Sequence, residues 1–459
     1  MRSTILCCIA IVAMFLSQQI AVHAQSAPSA TQKQTQLGLS KDVAQLNKRG
    51  LDHFNKKQYD EAIRLFRKAL DIQPDSPDVL NNLGKALDAV GREGEAIEDF
   101  DKALKIAPEN ATIHSNKGVA LFHEKKYEEA IASYRKAIEI HADFADAQNG
   151  LGAALFSLGR TDEAISAFRK GVQLDPKNID ALNNLGTALM AQHKAEEAIP
   201  LFRKAYKLKP DSVEFLESYA SALEEAGRQD EAIAAHVILV TKHPGRASAW
   251  AHLGHLLYIA KRYDKASVAL KKSLTLKQDQ PEVALTLGMT QYEQGKTAEA
   301  IQSFERILSL QPEDFHALCS LGRAYYSKKE YVKAEATYQK AVAQKSDSPE
   351  ALAGLGASQL ALEQSDEAIT TYQKLIPLQP DNADNQINVG TALFNKGRFQ
   401  DAAESYREAI RLKPDMARAH YNLGMALLRL NDKNSAQTEF QQAHQLDSSL
   451  KPPVARLGR

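Results

Sequence analysis

One glycine recurs along almost the whole chain at a spacing of 34 residues. It stands at Gly50, Gly84, Gly118, Gly152, Gly186, Gly254, Gly288, Gly322, Gly356, Gly390 and Gly424, and Ala220 fills the single gap. Alanine follows twelve residues later in all twelve copies, and Phe or Tyr follows that alanine by four residues in ten of them. A fixed period of this length predicts a repeat array, because so short a unit buries a core only by stacking on its neighbours.

Each repeat is predicted to form two helices, A and then B. Ser76-Pro77-Asp78 is typical of a helix start, since serine can accept from free amides and proline fits the first helical position. Glycine, which tolerates the left-handed backbone of a tight stop, stands where helix A ends in five repeats. These glycines are Gly91, Gly159, Gly227, Gly295 and Gly397. Prolines close eight repeats, because proline cannot continue helix B.

The recurring residues have a common packing explanation. Glycine in helix A and alanine in helix B remove side chains where two backbones come close, and the aromatic residue fills the space beside that contact. Leu-Gly pairs such as Leu83-Gly84, followed by Ala, an aromatic residue, Ala and Pro, resemble the pattern of the tetratricopeptide repeat. The resemblance covers residues 43–450 without an insertion. It implies an all-α fold, a right-handed α-solenoid of twelve units whose helices A line the concave face.

The first 24 residues resemble a signal peptide. Arg2 provides a positively charged start, and an apolar run extends from Ile5 to Leu16. Side chains of small or medium size precede the predicted cleavage site, which follows Ala24. An uncleaved membrane anchor is the alternative, although the apolar run is much shorter than the roughly 20 residues that a span needs. The chain is therefore expected to be periplasmic or secreted after signal-peptide cleavage.

Two further segments flank the array. Residues 25–42 are rich in Gln, Ser, Ala and Thr and are predicted to form a disordered spacer. Residues 451–459 form a C-terminal tail, and the polar last helix before it, from Asn434 to Gln445, is expected to serve as the solvent cap of the array. The sixth repeat deviates most, with Ala220, His236 and Leu239 at recurring positions, which indicates a local change of superhelix pitch, a contact surface or simple drift.

The balance of charges argues against two classes of partner. The chain has 57 basic and 57 acidic residues, so its net charge gives no reason to expect nucleic acid or an anionic membrane surface. A membrane is therefore expected only through other proteins, and the oligomeric state is not indicated. Loss of the signal peptide would leave one cysteine, Cys319, which is interpreted as a small buried or ligand-facing residue.

No motif predicts catalysis or a cofactor. Gly150-Leu151-Gly152 and Gly354-Leu355-Gly356 lack the preceding strand of a dinucleotide-binding loop and are interpreted as packing glycines. His252 and His255 share one helical face, but two ligands are too few for a stable metal site. The protein is accordingly predicted not to be an enzyme, and a metal-dependent enzyme that uses these two histidines is kept as a weaker alternative.

The resemblance implies that ligands contact the second, fifth, sixth, ninth, twelfth and thirteenth positions of each repeat. The sixth position holds asparagine in five repeats: Asn82, Asn116, Asn184, Asn388 and Asn422. Carboxamides can hold an extended backbone, and the row is similar to the asparagine ladder in the superhelical arm of O-linked N-acetylglucosamine transferases, whose catalytic domain is absent here. Gly150 and five consecutive repeats interrupt the row, and a structural role between helices is an equal alternative.

The twelfth position is often large and apolar. We predict that its aromatic residues bind ligand, with burial between repeats as the alternative; they include Phe122, Phe156, Tyr258, Tyr292, Tyr326 and Phe394. Acidic residues outnumber basic ones at the ligand-facing positions, so neutral or basic segments are favoured. The sequence thus predicts a non-enzymatic scaffold that binds extended protein segments in its groove. A component of a bacterial envelope assembly, for pilus biogenesis or exopolysaccharide export, is the alternative.

Overall fold

The computed structural model describes residues 40–451. The predicted signal peptide, most of the spacer and all but the first residue of the tail lie outside these residues. Lys41 and Asp42, which the sequence division assigned to the spacer, form the first turn of a helix that Ser40 caps through a hydrogen bond from the Val43 amide. Every regular element between residues 40 and 451 is helical, and none of these helices has the length and apolar character needed to cross a bilayer.

The chain divides between His243 and Pro244 into two compact units, each of six repeats. The first unit contains α1 (Lys41–Asn55), α2 (Tyr59–Ile72), α3 (Pro77–Asp88), α4 (Glu93–Ile106), α5 (Ala111–His123), α6 (Tyr127–Ile140), α7 (Ala145–Ser157), α8 (Thr161–Leu174), α9 (Ile179–Ala191), α10 (Ala195–Leu208), α11 (Val213–Glu225) and α12 (Gln229–Lys242). Odd numbers mark A helices and even numbers mark B helices.

The second unit continues the same alternation. It contains α13 (Ala247–Ile259), α14 (Tyr263–Leu276), α15 (Pro281–Glu293), α16 (Thr297–Leu310), α17 (Phe315–Ser327), α18 (Tyr331–Gln344), α19 (Pro349–Ala361), α20 (Ser365–Leu375), α21 (Ala383–Asn395), α22 (Phe399–Leu412), α23 (Ala417–Arg429) and α24 (Lys433–Leu446). A 3-10 turn over Ile376–Leu378 follows α20. Each unit is an all-α repeat solenoid, which confirms the fold class predicted from the 34-residue period.

The stop of helix A has the same geometry in every repeat. The fifteenth residue has a positive φ, between 56° and 76°, in all twelve copies. In the second repeat, the Gly91 amide donates to the Asp88 carbonyl and the Arg92 amide donates to the Leu87 carbonyl. This pair of bonds satisfies carbonyl groups that the end of the helix leaves free. The five glycines predicted at this position all adopt the left-handed conformation.

One of the predicted helix starts was only partly right. Pro77 does occupy the first turn of α3, but the Ser76 side chain makes no capping hydrogen bond. Its hydroxyl is buried and has no partner among the described residues. In contrast, the equivalent Ser212 and Ser348 do accept from the backbone at the start of α11 and α19. A serine in this position therefore indicates a helix start without guaranteeing the capping bond.

In ten of the twelve repeats, the core lies where the recurring glycine meets the recurring aromatic residue. A Cβ atom added at Gly84 would lie 2.7 Å from the Phe100 ring, and one added at Gly118 would lie 2.8 Å from the Tyr134 ring. All twelve recurring alanines of the B helices are fully buried. Close backbone approach and a filling ring thus explain why the three positions recur together.

The sixth repeat has a larger residue at the glycine position and a smaller ring at the aromatic position. Ala220 replaces the glycine, and the opposing residue is His236, which is 4% exposed and lies with Nε2 2.5 Å from the Glu224 carboxylate. An alanine methyl group needs more room than glycine, and a histidine ring is smaller than that of Phe or Tyr. The two exceptional residues therefore compensate for each other.

Candidate functional site

The A helices present the ligand-facing positions that the sequence predicted. Within each unit, the A helix of one repeat contacts the A helix of the next, so equivalent residues of consecutive repeats form rows. We call the surface formed by the second, fifth, sixth, ninth, twelfth and thirteenth positions the A-helix face. Each unit has its own A-helix face, and the two differ in the residues that they expose.

The asparagine row of the first unit links neighbouring helices. Three side-chain amides donate to the fifth-position asparagine of the preceding repeat. The Nδ2···Oδ1 pairs are Asn82–Asn47 (2.9 Å), Asn116–Asn81 (2.8 Å) and Asn184–Asn149 (3.0 Å). Asn184 is only 3% exposed, so the prediction that it contacts a ligand requires correction: its amide is used inside the unit. Asn82 and Asn116 remain half-buried and keep a second N–H each.

The two asparagines of the second unit lack this amide acceptor. Asn388 and Asn422 lie half-buried on α21 and α23. The fifth position of the preceding repeat is Ala353 in one case and Ile387 in the other, and neither side chain can accept a hydrogen bond. Neither amide therefore makes the amide–amide bond that Asn82 and Asn116 make in the first unit.

Packing explains the glycines that interrupt the asparagine row. Any Cβ atom at Gly150 would overlap the Tyr134 ring, and any Cβ atom at Gly354 would overlap the Tyr338 ring. In both cases the tyrosine belongs to helix B of the preceding repeat. The interpretation of these positions as packing glycines agrees with this geometry, and the ring takes the space that an asparagine side chain would need.

Two of the predicted aromatic contacts of the first unit are buried. Phe122 is 5% exposed and Phe156 is 4% exposed, so their assignment to a ligand site also requires correction. Phe122 packs against Tyr127, with ring centroids 5.3 Å apart. Asp88 and Glu224 occupy the same position in two other repeats of this unit. The twelfth-position row of the first unit is therefore both interrupted and largely hidden.

The second unit has a continuous apolar row at the same position. Its members are Tyr258, Tyr292, Tyr326, Leu360, Phe394 and Leu428. Tyr326 is exposed and the other five are half-buried. We call these six side chains the second-unit row. No polar residue interrupts it between α13 and α23, so an extended ligand could contact side chains from all six repeats.

Charged side chains flank the second-unit row. The Arg323 guanidinium lies 5.9 Å from the centroid of the Tyr292 ring, and its Nη2 atom is 3.6 Å from the Glu350 carboxylate. A shallow pocket on this part of the face is lined by Tyr258, Met289, Tyr292, Glu293, Phe304, Ser320 and Arg323. Aromatic rings, a carboxylate and a hydroxyl group thus meet at one place on this face.

The residues considered for chemistry differ in burial. Cys319 is 2% exposed, and burial raises the pKa of its thiol to about 12. The thiol is therefore protonated at neutral pH and is unsuited to act as a nucleophile. His252 and His255 are both exposed on α13. The metal-dependent enzyme that would use these histidines remains an alternative hypothesis.

Sequence reasoning missed two sets of residues. The fifth-position asparagines, such as Asn149, were not identified as acceptors for the sixth-position row. The first residue of helix B was also overlooked, although Tyr263 packs against Tyr258 and Phe399 packs against Phe394. A usable signal was present, because five repeats carry aromatic residues at both the twelfth and the seventeenth position.

Comparison with sequence families gives matches along nearly the whole chain. Models described as tetratricopeptide repeat or TPR repeat match residues 42–109, 120–159, 152–193, 183–237, 247–280, 285–349, 327–386, 390–431 and 417–450. No curated protein sequence matches.

Many solved structures are similar to parts or to most of the chain. One is YrrB, described as a TPR protein with an unusual peptide-binding site, at 26% identity over 41% of this chain and 96% of that one, with a TM-score of 0.39. A second is MamA, at 30% identity over 35% of this chain and 94% of that one, with a TM-score of 0.32. Yeast Tom70 matches at 16% identity over 89% of this chain and 98% of that one, with a TM-score of 0.36.

Proposed function

Because the chain belongs to the tetratricopeptide repeat family, whose fold is typically non-catalytic, we propose that it is a non-enzymatic scaffold that binds extended protein segments. The observation that carries the proposal is the second-unit row, in which six apolar side chains follow one another without interruption and remain at least partly accessible. Aromatic side chains in such positions contribute strongly to protein recognition. The peptide-binding description of YrrB provides independent support from a similar protein.

Binding is proposed to use the A-helix face of the second unit rather than that of the first. Asn388 and Asn422 lie on the same helices as Phe394 and Leu428, so α21 and α23 each present one amide and one apolar side chain on this face. A carboxamide can donate to a peptide carbonyl and accept from a peptide N–H. Backbone and side-chain contacts to one extended segment are therefore available together.

A display library of random peptides provides a test that needs no known partner. We expect the intact protein to enrich peptides that contain apolar residues. The variant with Tyr258→Ala, Tyr292→Ala and Phe394→Ala should lose them. A matched control, Val268→Ala with Val332→Ala, removes apolar side chains that are 67% and 68% exposed on B helices and should retain binding. Failure of the intact protein to enrich any peptide, or equal binding by both variants, would overturn the proposal.

We also propose that the scaffold acts outside the cytoplasm, in the periplasm or after secretion. The support is the sequence of residues 1–24, with its positive start and apolar run. Mass spectrometry of the protein purified from its native cells should find a mature chain that begins at Gln25. Detection of an intact Met1 terminus in cytoplasmic extracts only would contradict this location.

A further inference from the structure

Tyr326 is the exposed member of the second-unit row, with 38% of its surface accessible. Its ring meets Tyr331 from one side, at a centroid distance of 5.2 Å and an interplanar angle of 58°. Among residues 40–451, no Lys or Arg lies over this ring. The face of this ring that no cation covers is accessible to a side chain from another molecule.

Three other twelfth-position rings are covered by a cation from the following repeat. The pairs are Lys85 over Phe54 (5.4 Å), Arg323 over Tyr292 (5.9 Å) and Arg429 over Phe394 (5.8 Å). The first two cations stand at the ninth position of their repeat and the third stands at the thirteenth. A cation is attracted to the negative face of an aromatic ring, so these contacts are favourable. Three of the seven aromatic rings at the twelfth position thus accept a cation from within the array.

At Tyr326 both covering positions are alanine. Ala357 holds the ninth position and Ala361 holds the thirteenth, and both are half-buried on α19. This helix contacts α17, which carries Tyr326, in the same way that the helices of the covered pairs contact each other. A methyl group cannot reach across the ring as an arginine or lysine side chain does. The cation from the following repeat is therefore missing at the exposed Tyr326 ring.

Charge on this part of the face favours a basic guest. At the ligand-facing positions of the seventh to tenth repeats, Glu282, Glu293 and Glu350 stand against a single cation, Arg323. That cation already lies 3.6 Å from the Glu350 carboxylate. Two carboxylates therefore remain in excess, and a positively charged side chain is attracted to this region over distances of several ångströms.

We infer that Tyr326 binds the guanidinium or ammonium group of an arginine or lysine in the bound segment, which takes the place of the missing internal cation. The inference rests on the proposed peptide-binding function and specifies one side chain of the ligand. Cation–π contacts at accessible sites are modest, and the expected contribution corresponds to about a two- to fivefold change in affinity.

The first measurement uses the peptide display library itself as the probe. Peptides enriched by the intact protein should contain Arg or Lys more often than the unselected library does. The preference for Arg or Lys should disappear in the Ala357→Arg variant, because the new arginine would lie over the Tyr326 ring. A matched control, Thr370→Arg, adds the same charge at an exposed site on α20 and should keep the preference. If Ala357→Arg does not fold, Ala361→Arg is a second variant that would place an arginine over the Tyr326 ring.

A second measurement isolates the contribution of the positive charge on the bound peptide to its affinity. One enriched peptide is compared with a copy in which its arginine is replaced by citrulline, a neutral side chain of nearly the same shape. Fluorescence anisotropy should show about a two- to fivefold weaker affinity of the citrulline peptide for the intact protein. The two peptides should bind the Ala357→Arg variant equally.

The possible results separate this inference from the broader proposal. If no peptide is enriched, the proposed function fails. If peptides are enriched but show no preference for Arg or Lys, or if citrulline binds as well as arginine, the function stands and the inference about Tyr326 is overturned. A preference for Arg or Lys that persists in both the Ala357→Arg and the Ala361→Arg variant would also overturn it, because the basic side chain would then bind elsewhere.

Discussion

The residue that ends helix A has a positive φ in every repeat, yet glycine supplies it in only five of the twelve. Lysine does so at four positions, including Lys125 with φ of 64°, and His193, Glu363 and Asn431 complete the set. A left-handed backbone is unfavourable for residues with a Cβ atom by about 1–2 kcal/mol. The seven non-glycine stops therefore hold strain that the surrounding packing overcomes.

Relief of this strain gives a prediction at a single residue. Lys125→Gly should raise the stability of the protein by about 0.5–1 kcal/mol, since the lost strain exceeds the larger unfolded-state entropy of glycine. Lys125→Ala removes the side chain but keeps the Cβ atom, so it should bring no such gain. Urea unfolding followed by circular dichroism measures both. A gain of equal size in the alanine variant would assign the effect to the lysine side chain instead of the backbone.

The buried amide pair Asn184–Asn149 allows the structural role of the asparagine row to be measured. Asn184→Ala would leave the Asn149 carbonyl oxygen without its donor in a dry environment, at a cost of about 1–3 kcal/mol. Asn388→Ala is the matched change in the second unit, where the preceding repeat offers no amide acceptor, and its effect should stay within about 0.5 kcal/mol. Similar unfolding midpoints for the two variants would contradict the distinction between asparagines with and without an amide acceptor in the preceding repeat.

At the scale of the helix, glycines occupy two kinds of steric environment. Gly150 lies within α7, where a Cβ atom would overlap the Tyr134 ring, whereas no atom lies within 4 Å of a Cβ atom at Gly94 in α4. Alanine is favoured over glycine within helices by about 1 kcal/mol. The steric environment therefore decides the sign of a glycine-to-alanine change.

We expect opposite outcomes from these two substitutions. Gly94→Ala should stabilise the protein by up to about 1 kcal/mol through helix propensity. Gly150→Ala should destabilise it, because overpacking typically costs about 1–3 kcal/mol and outweighs the gain in propensity. Thermal unfolding of the two variants provides the comparison. Stabilisation by both would mean that the Tyr134 ring moves aside without cost.

The helices and their order could be predicted from the sequence because packing enforces the period. Glycine, alanine and the aromatic residue recur together where two backbones approach, and they do so in ten of the twelve described repeats. In the seventh repeat, Leu270 takes the place of the ring beside Gly254. The occupants of the A-helix face could not be predicted in the same way. Phe122 and Tyr326 occupy the same position of their repeats, yet one is buried and the other exposed, and Asn184 has an amide partner only because Asn149 precedes it.

At the scale of the whole molecule, stability is distributed along the chain. Apart from the bonds within helices, contacts join helices of the same repeat or of adjacent repeats. Arrays built in this way behave approximately as a sum of repeat stabilities and nearest-neighbour interfaces. A local defect should therefore weaken its own surroundings far more than it weakens distant repeats.

Ala300 tests this expectation, because it is fully buried on α16 in the second unit. Ala300→Leu should overpack the helix contact at a cost of about 1–3 kcal/mol. In hydrogen exchange followed by mass spectrometry, protection should fall most in α15 to α18 and little in the helices of the first unit. Gln302→Leu, at an exposed site on the same helix, should change neither. An equal loss of protection in both units would indicate one cooperative structure, and an unchanged melting temperature would contradict the repeat register that places this alanine at the contact.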